Sequence, residues 1–207
     1  KKHLKDYEFI EWNEKNFDIN SNSFVKKMYE NKKWAFVSDY VRAYAIYNYG
    51  GIYLDTDVFV IDKLDSLLNS RAFVGFEAPE YPFTAVFGAE KEHPLIKDML
   101  DYYTNLELEG NFKDNNTISV SNLLIEKYGC KTGNIEQELP EGEKCRGGEL
   151  RTHAIVGGCH ANGEPTGEFK SKGFSAQRAA KSRSSNLRWS TKKKPVAKRT
   201  ARCFFFI

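Results

Sequence analysis

The sequence predicts an α/β domain, and three observations carry that prediction. Short β-rich runs alternate with longer segments of helical periodicity as far as Tyr128. The stretch Trp34 to Val60, WAFVSDYVRAYAIYNYGGIYLDTDVFV, starts as an aromatic-rich helix, breaks at Gly50-Gly51 and enters a strand carrying Asp55 and Asp57. Hydrophobic residues make up 41%, with 11 Tyr and 15 Phe, enough for a real core.

Taken in order, Tyr7 to Trp12 (YEFIEW) reads as a strand, followed by a polar turn region from Asn13 to Asn22. Ser23 is the expected N-cap of a helix spaced by Phe24, Val25 and Met28 and reaching Glu30. The next helix begins near Lys33, and its apolar positions cover so wide a face that it must pack on more than one side. Gly50 suits the end of that helix, because glycine tolerates positive φ. Ile52–Leu54 and Val58–Ile61 are β-rich and flank the acidic pair, and Leu64–Leu68 forms a helical turn. Ala72–Phe76 and Phe83–Gly88 read as two further strands joined around Pro79 and Pro82. Helical spacing returns over Leu95–Leu106, with Pro94 in its first turn, and over Ser119–Tyr128, ended by Gly129.

The net charge of +3 conceals an asymmetry. Residues 1–150 hold 18 Lys and Arg against 26 Asp and Glu, whereas residues 151–207 hold 13 against 2. A boundary near Arg151 is expected, between an α/β domain at 1–150 and a basic low-complexity tail at 151–207. The tail is rich in Gly, Ser, Ala, Lys and Arg without periodicity, so its composition predicts disorder. Cys130, Cys145, Cys159 and Cys203 match no metal or redox spacing and read as free thiols or, failing that, one disulfide. No apolar run approaches the ~18 residues of a membrane span, and KKHLKDYEF is no signal peptide, which predicts a soluble or peripheral protein. The start without Met predicts a piece of a longer protein.

Chemistry concentrates in the central stretch. Two carboxylates separated by one residue at a strand end are natural ligands for a hard divalent cation completed by water and substrate phosphates. On spacing alone a solvated turn is the commoner reading. The apolar flanks Ile52-Tyr53-Leu54 and Val58-Phe59-Val60 weigh against it, since buried carboxylates need a partner or a metal. Asp39 and Arg42, three apart, share a helix face. They read either as an intrahelical ion pair or as sugar ligands, Asp39 accepting from hydroxyls and Arg42 offering its planar fork. Tyr53 is either a ribose or phosphate contact or a core aromatic.

With these residues in view, SDYVRAYAIYNYGGIYLDTDV resembles the signature of the DXD-containing glycosyltransferases of the sugar-binding-region type. That family includes capsular polysaccharide transferases, yeast-type initiating mannosyltransferases and the large clostridial glucosylating toxins. Ser38-Asp39, Arg42, Gly50-Gly51, Tyr53, Asp55 and Asp57 carry the resemblance in order and spacing, which extends over roughly Lys1 to Tyr128 and is strongest to the bacterial polysaccharide branch. It implies a GT-A fold (Rossmann-like, a mixed sheet with flanking helices), a UDP- or GDP-sugar donor, a Mn²⁺ or Mg²⁺ ion and retention of anomeric configuration. By position it implies Asp57 as the metal ligand on the donor diphosphate, with Asp55 on the ribose and supporting the metal through water. Asp39 and Arg42 would bind the donor sugar, with Gly51, Tyr53 and Thr84 completing the donor-binding set.

Two departures stand beside the resemblance. The family's initial Ile-His-x-x-Trp-like strand is missing, and its closing His-rich segment is not continued after ELRTHAI, so His153 and His160 are poor substitutes for a further metal ligand. The tail is accordingly expected to be a non-native or frameshifted end. The function expected is metal-dependent transfer of a hexose to a saccharide acceptor in cell-surface or capsular polysaccharide synthesis. The alternative is a catalytically impaired member that binds nucleotide-sugar or a partner. A D-x-D phosphatase is disfavoured, because Phe59 stands where that chemistry needs a small hydroxyl residue. Expected partners are the donor and the acceptor, with peripheral association to a membrane at its cytoplasmic face and no specific nucleic acid.

Overall fold

The computed structural model describes residues 3–56, 58–60, 62–83, 85–109, 116–140, 142–146, 154–156 and 201–206. Strand β1 (Tyr7–Trp12) leads through a short 3-10 turn at Ile19–Ser21 into α1 (Ser23–Glu30) and α2 (Trp34–Tyr49). The chain then forms β2 (Gly51–Leu54), β3 (Val58–Val60), a 3-10 turn at Asp65–Asn69, β4 (Ala72–Gly75) and β5 (Val86–Ala89). After these come α3 (Pro94–Glu109), α4 (Asn116–Glu126), β6 (Gln137–Glu138), β7 (Glu143–Arg146), β8 (Ala154–Val156) and β9 (Ala201–Phe206). The architecture is mixed α/β, as expected.

Seven strands make one mixed sheet in the order β1-β9-β2-β5-β4-β7-β6, while β3 and β8 pair separately. Strand β9 runs parallel to both β1 and β2, and β5 runs antiparallel to β2 and β4. The strand pleat divides the core between the two faces. Tyr53, Phe87 and Phe204 face the larger cluster, with Val37, Val41 and Ile46 of α2 and Leu95 and Met99 of α3. Ile52, Leu54, Val86 and Cys203 face a smaller cluster closed by Leu64 and Leu67. Helix α2 lies against α1, α3 and the sheet, which accounts for its wide apolar face.

The helix ends follow from local chemistry, with one correction. The N-cap of α1 is Asn22, whose side chain accepts from the Val25 N–H at 3.1 Å, and not Ser23. Both residues can cap; Asn22 has the extended backbone a cap requires, at φ −142° and ψ 131°, and Ser23 is the first helical residue. Pro94 opens α3 as expected. Gly50 ends α2 with φ 62°, donating its N–H to the Ile46 carbonyl at 2.8 Å.

Two further expectations are corrected. The strand placed at Phe83–Gly88 begins at Val86; Phe83 is instead a buried ring packed 5.1 Å from Phe87, and burial gives the same apolar signal with or without a ladder. Residues 201–206, within the stretch whose composition predicts disorder, form a strand inside the sheet, and residues 154–156 form another. ARCFFF and the shorter AIV are apolar runs within that stretch, and averaging them with the surrounding Lys, Arg, Gly and Ser hides them. No helix among the described residues is long and apolar enough to cross a membrane.

Candidate functional site

The site forms where α2 meets the end of β2. Helical spacing puts Asp39 and Arg42 on the same side of α2, and the glycine break returns the chain so that β2 runs beneath that helix. Two close approaches require the break to be glycine. A Cβ on Gly50 would lie 2.8 Å from the Lys91 nitrogen, and one on Gly51, at φ 130°, would lie 2.7 Å from the Arg202 carbonyl oxygen. Gly51 therefore serves the contact between β2 and β9.

Strand β2 ends at Leu54, and Asp55 starts a turn. Its N–H donates to the Ala85 carbonyl at 3.0 Å, and its own carbonyl accepts from the Val58 N–H at 3.1 Å. Asp55 is thus held by backbone on both sides just past the end of an interior strand, its side chain 33% exposed. Asp57 and Thr84 lie outside the described residues, as do His153 and His160.

Arg42 is the hub. Its Nη2 donates to Asp39 Oδ1 and its Nη1 to Asp55 Oδ1 at 3.3 Å, so one guanidinium joins the helix to the strand end. The guanidinium carbon lies 5.2 Å from the Tyr53 ring centre, 5.8 Å from Phe83 and 6.0 Å from Phe87. Aromatic faces favour a cation above them and exclude water from it, which strengthens each charge pair. The geometry shows the ion pair within the helix, and the same guanidinium also reaches the acidic strand end. Tyr53 is buried at 3% exposure and belongs to the core, with its ring against Arg42.

Burial sets the protonation states. It pushes the Asp39 carboxyl up; Arg42 pulls it back and Asp55 pushes it up again, leaving it at about 6. For Arg42 burial works against the charge, but Asp39, Tyr53, Tyr103 and Asp55 outweigh it, and the guanidinium stays protonated. Burial also pushes the Tyr53 and Tyr103 hydroxyls above their ordinary value, so both keep their protons.

Several residues of the site carry no sequence signal. Phe83 and Phe87 form the aromatic bed of Arg42, and Tyr103 of α3, whose hydroxyl accepts from Asn116 Nδ2, adjoins the Asp39–Arg42 pair. In sequence each is an ordinary core aromatic. Asn116, a polar residue at the start of α4, is buried and donates to Tyr103.

The carboxylates fit a hard divalent cation in kind. They are oxygen donors, Asp55 is partly open to solvent, and two ionised carboxylates around one guanidinium leave net negative charge. Among the described residues no group of three or more His, Cys, Asp or Glu side chains could hold a metal.

Comparison with known proteins bears on this segment. Residues 1–74 match the model of the glycosyltransferase sugar-binding region containing DXD motif, a span that includes Asp39, Arg42, Gly50-Gly51, Asp55 and Asp57. An uncharacterised protein of Arabidopsis thaliana is 41% identical over 66 residues, 32% of this chain and 10% of that protein. Inositol phosphoceramide mannosyltransferase 3 of Schizosaccharomyces pombe is 33% identical over 95 residues, 44% of this chain and 27% of that protein. The chain thus spans between a tenth and about a quarter of the length of these relatives. No solved structure matches. The likeness to a glycosyltransferase region thus covers residues 1–74.

Proposed function

We propose that this chain is the donor-binding part of a metal-dependent, retaining glycosyltransferase of GT-A fold, which moves a hexose from a UDP- or GDP-sugar to a saccharide acceptor. The observation that carries the reading is Arg42 joined at once to Asp39 and Asp55, within the segment that matches the DXD sugar-binding region. The same reading places it in cell-surface or capsular polysaccharide synthesis, on the cytoplasmic side of a membrane.

In this reading Asp39 accepts hydrogen bonds from hydroxyls of the donor sugar. A carboxylate already held by Arg42 offers them at fixed geometry, so less ordering is needed on binding. Arg42 orients both carboxylates and keeps Asp39 ionised near neutral pH. Asp55, fixed at the strand end, meets the ribose, and Tyr53 backs the guanidinium as a water-excluding floor. Asp57 would hold the cation, with Asp55 supporting it; when bound, that ion neutralises charge on the leaving diphosphate. Gly51 and Thr84 complete the donor-binding set.

The test is calorimetric titration of the chain with UDP and GDP, with and without Mn²⁺, followed by a screen of UDP- and GDP-sugars for hydrolysis. Mn²⁺-dependent nucleotide binding that Asp57→Ala abolishes is the expected result. Binding that ignores both the metal and that substitution would overturn the metal assignment. Binding without turnover would favour a catalytically impaired, nucleotide-sugar-binding member of the fold.

A further inference from the structure

Away from the site, the Cys130 and Cys145 sulfurs lie 2.8 Å apart in the core, fifteen residues apart in sequence. Cys130 follows α4, where its N–H donates to the Leu124 carbonyl at 3.0 Å, and Cys145 is central in β7, in register with Val74 of β4 and Gln137 of β6. Two unbonded sulfurs in ordinary van der Waals contact sit farther apart than this, and a disulfide needs ~2.05 Å, so little movement separates the pair from a bond. We propose that Cys130 and Cys145 are a redox pair that closes to a disulfide, tying the end of α4 to β7.

The two thiols are unequal. Both are buried, but Cys130, at 3% exposure, lies after α4 between exposed Gly129 and Lys131, whereas Cys145 is fully enclosed within β7. Hydrogen bonding from Cys145 pulls the Cys130 thiol below its ordinary value against the effect of burial, and the same bond, with burial, pushes Cys145 up. Cys130 is therefore the attacking thiolate. With a small-molecule disulfide such as glutathione disulfide as oxidant, the Cys130 thiolate attacks one sulfur and expels one glutathione thiolate. Cys145 then loses its proton and attacks the Cys130 sulfur, expelling the second. Two protein thiols are oxidised by two electrons, the glutathione disulfide is reduced to two thiols, and the two protein protons end on them.

The experiment incubates the full chain over a range of reduced to oxidised glutathione, blocks remaining thiols and maps tryptic peptides without reduction. Cleavage at Lys131 and Lys144 separates the two cysteines in sequence, so a bond shows as one linked pair of peptides. The expected result is a Cys130–Cys145 linkage that survives in a Cys159→Ser, Cys203→Ser background, with a melting temperature raised by about 6–12 °C on oxidation. In Cys145→Ser, glutathione should accumulate on Cys130, because the resolving thiol is gone. Thiols that stay free at every ratio in the wild-type chain, or linkage of either residue to Cys159 or Cys203, would overturn the proposal.

Discussion

Arg42 Nη1 reaches Asp55 Oδ1 at 3.3 Å although twelve residues, with a helix end and two glycines among them, separate the two. The same side chain holds Asp39 in its own helix, so removing it takes one partner from each of two carboxylates, one of them largely buried. Breaking a buried pair by removing one partner typically costs about 3–5 kcal/mol. Arg42→Ala should therefore lower stability by that order in urea titration. Arg42→Lys keeps the charge but has no planar fork to serve both carboxylates, so it should keep most of the stability and lose at least about tenfold in nucleotide-sugar affinity. Equal loss of stability in the two variants would show that the fork, and not the charge alone, holds the helix to the strand end.

Asp39 makes stability depend on pH in a direction that can be worked out. Its carboxyl titrates at about 6 in the fold against an ordinary value of 3.8, so between these values the folded state holds more protons than the unfolded one. Stability from this group is then greatest below the lower value and falls as pH rises through the window, by up to about 3 kcal/mol. Above the window the deficit is constant. Asp39→Asn cannot titrate, so the stability difference between wild type and variant should shift in the variant's favour from pH 4 to pH 7. Urea midpoints of both proteins across that range measure it, and a difference independent of pH would refute the assignment.

The glycine break offers a third test, separate from charge. At φ 130° and with the Arg202 carbonyl oxygen 2.7 Å from where a Cβ would stand, Gly51 accepts no side chain without moving β9. Gly51→Ala should destabilise by at least about 2 kcal/mol, from backbone strain and overpacking together. Gly129→Ala is the control: its φ is 68° but nothing lies within 4 Å of the added Cβ, so strain alone remains and the cost should be smaller. If the two cost the same, contact with β9 contributes nothing at Gly51.

What could be read from the chain follows how local each signal is. Helix α2, the glycine break and β2 were legible because 3.6-residue spacing, a positive-φ glycine and a short β-rich run all lie within neighbouring residues. The link from Arg42 to Asp55 was legible only as an expectation that the break folds helix and strand together. The aromatic bed was not, since Phe83, Phe87 and Tyr103 read as core whichever group they face. In β7 the reading fails for a different reason: Glu143 is fully buried beside His93, with 3.6 Å between His93 Nε2 and Glu143 Oε1, so a charged residue occupies an inward position. Strand β6 has two residues, too few to show a period. Strand β9 was concealed by its basic surroundings and by pairing partners nearly two hundred residues away.

Strand β9 contributes to both faces of the core. Phe204 is fully buried and packs 6.3 Å from Trp12 and 6.5 Å from Tyr49, while Cys203 is enclosed on the opposite face. Arg202 donates to Glu8 at 3.0 Å along the neighbouring strand. Because β9 lies between β1 and β2, its loss would leave β1 without its parallel partner and open both faces of the core. Phe204→Ala should cost about 3–5 kcal/mol. Deleting residues 201–207 should abolish cooperative unfolding, whereas Arg202→Ala, which removes one exposed ion pair, should cost no more than about 1 kcal/mol. Thermal melts of the three variants decide it. A chain lacking 201–207 that melts like wild type would mean that the sheet holds together without this strand.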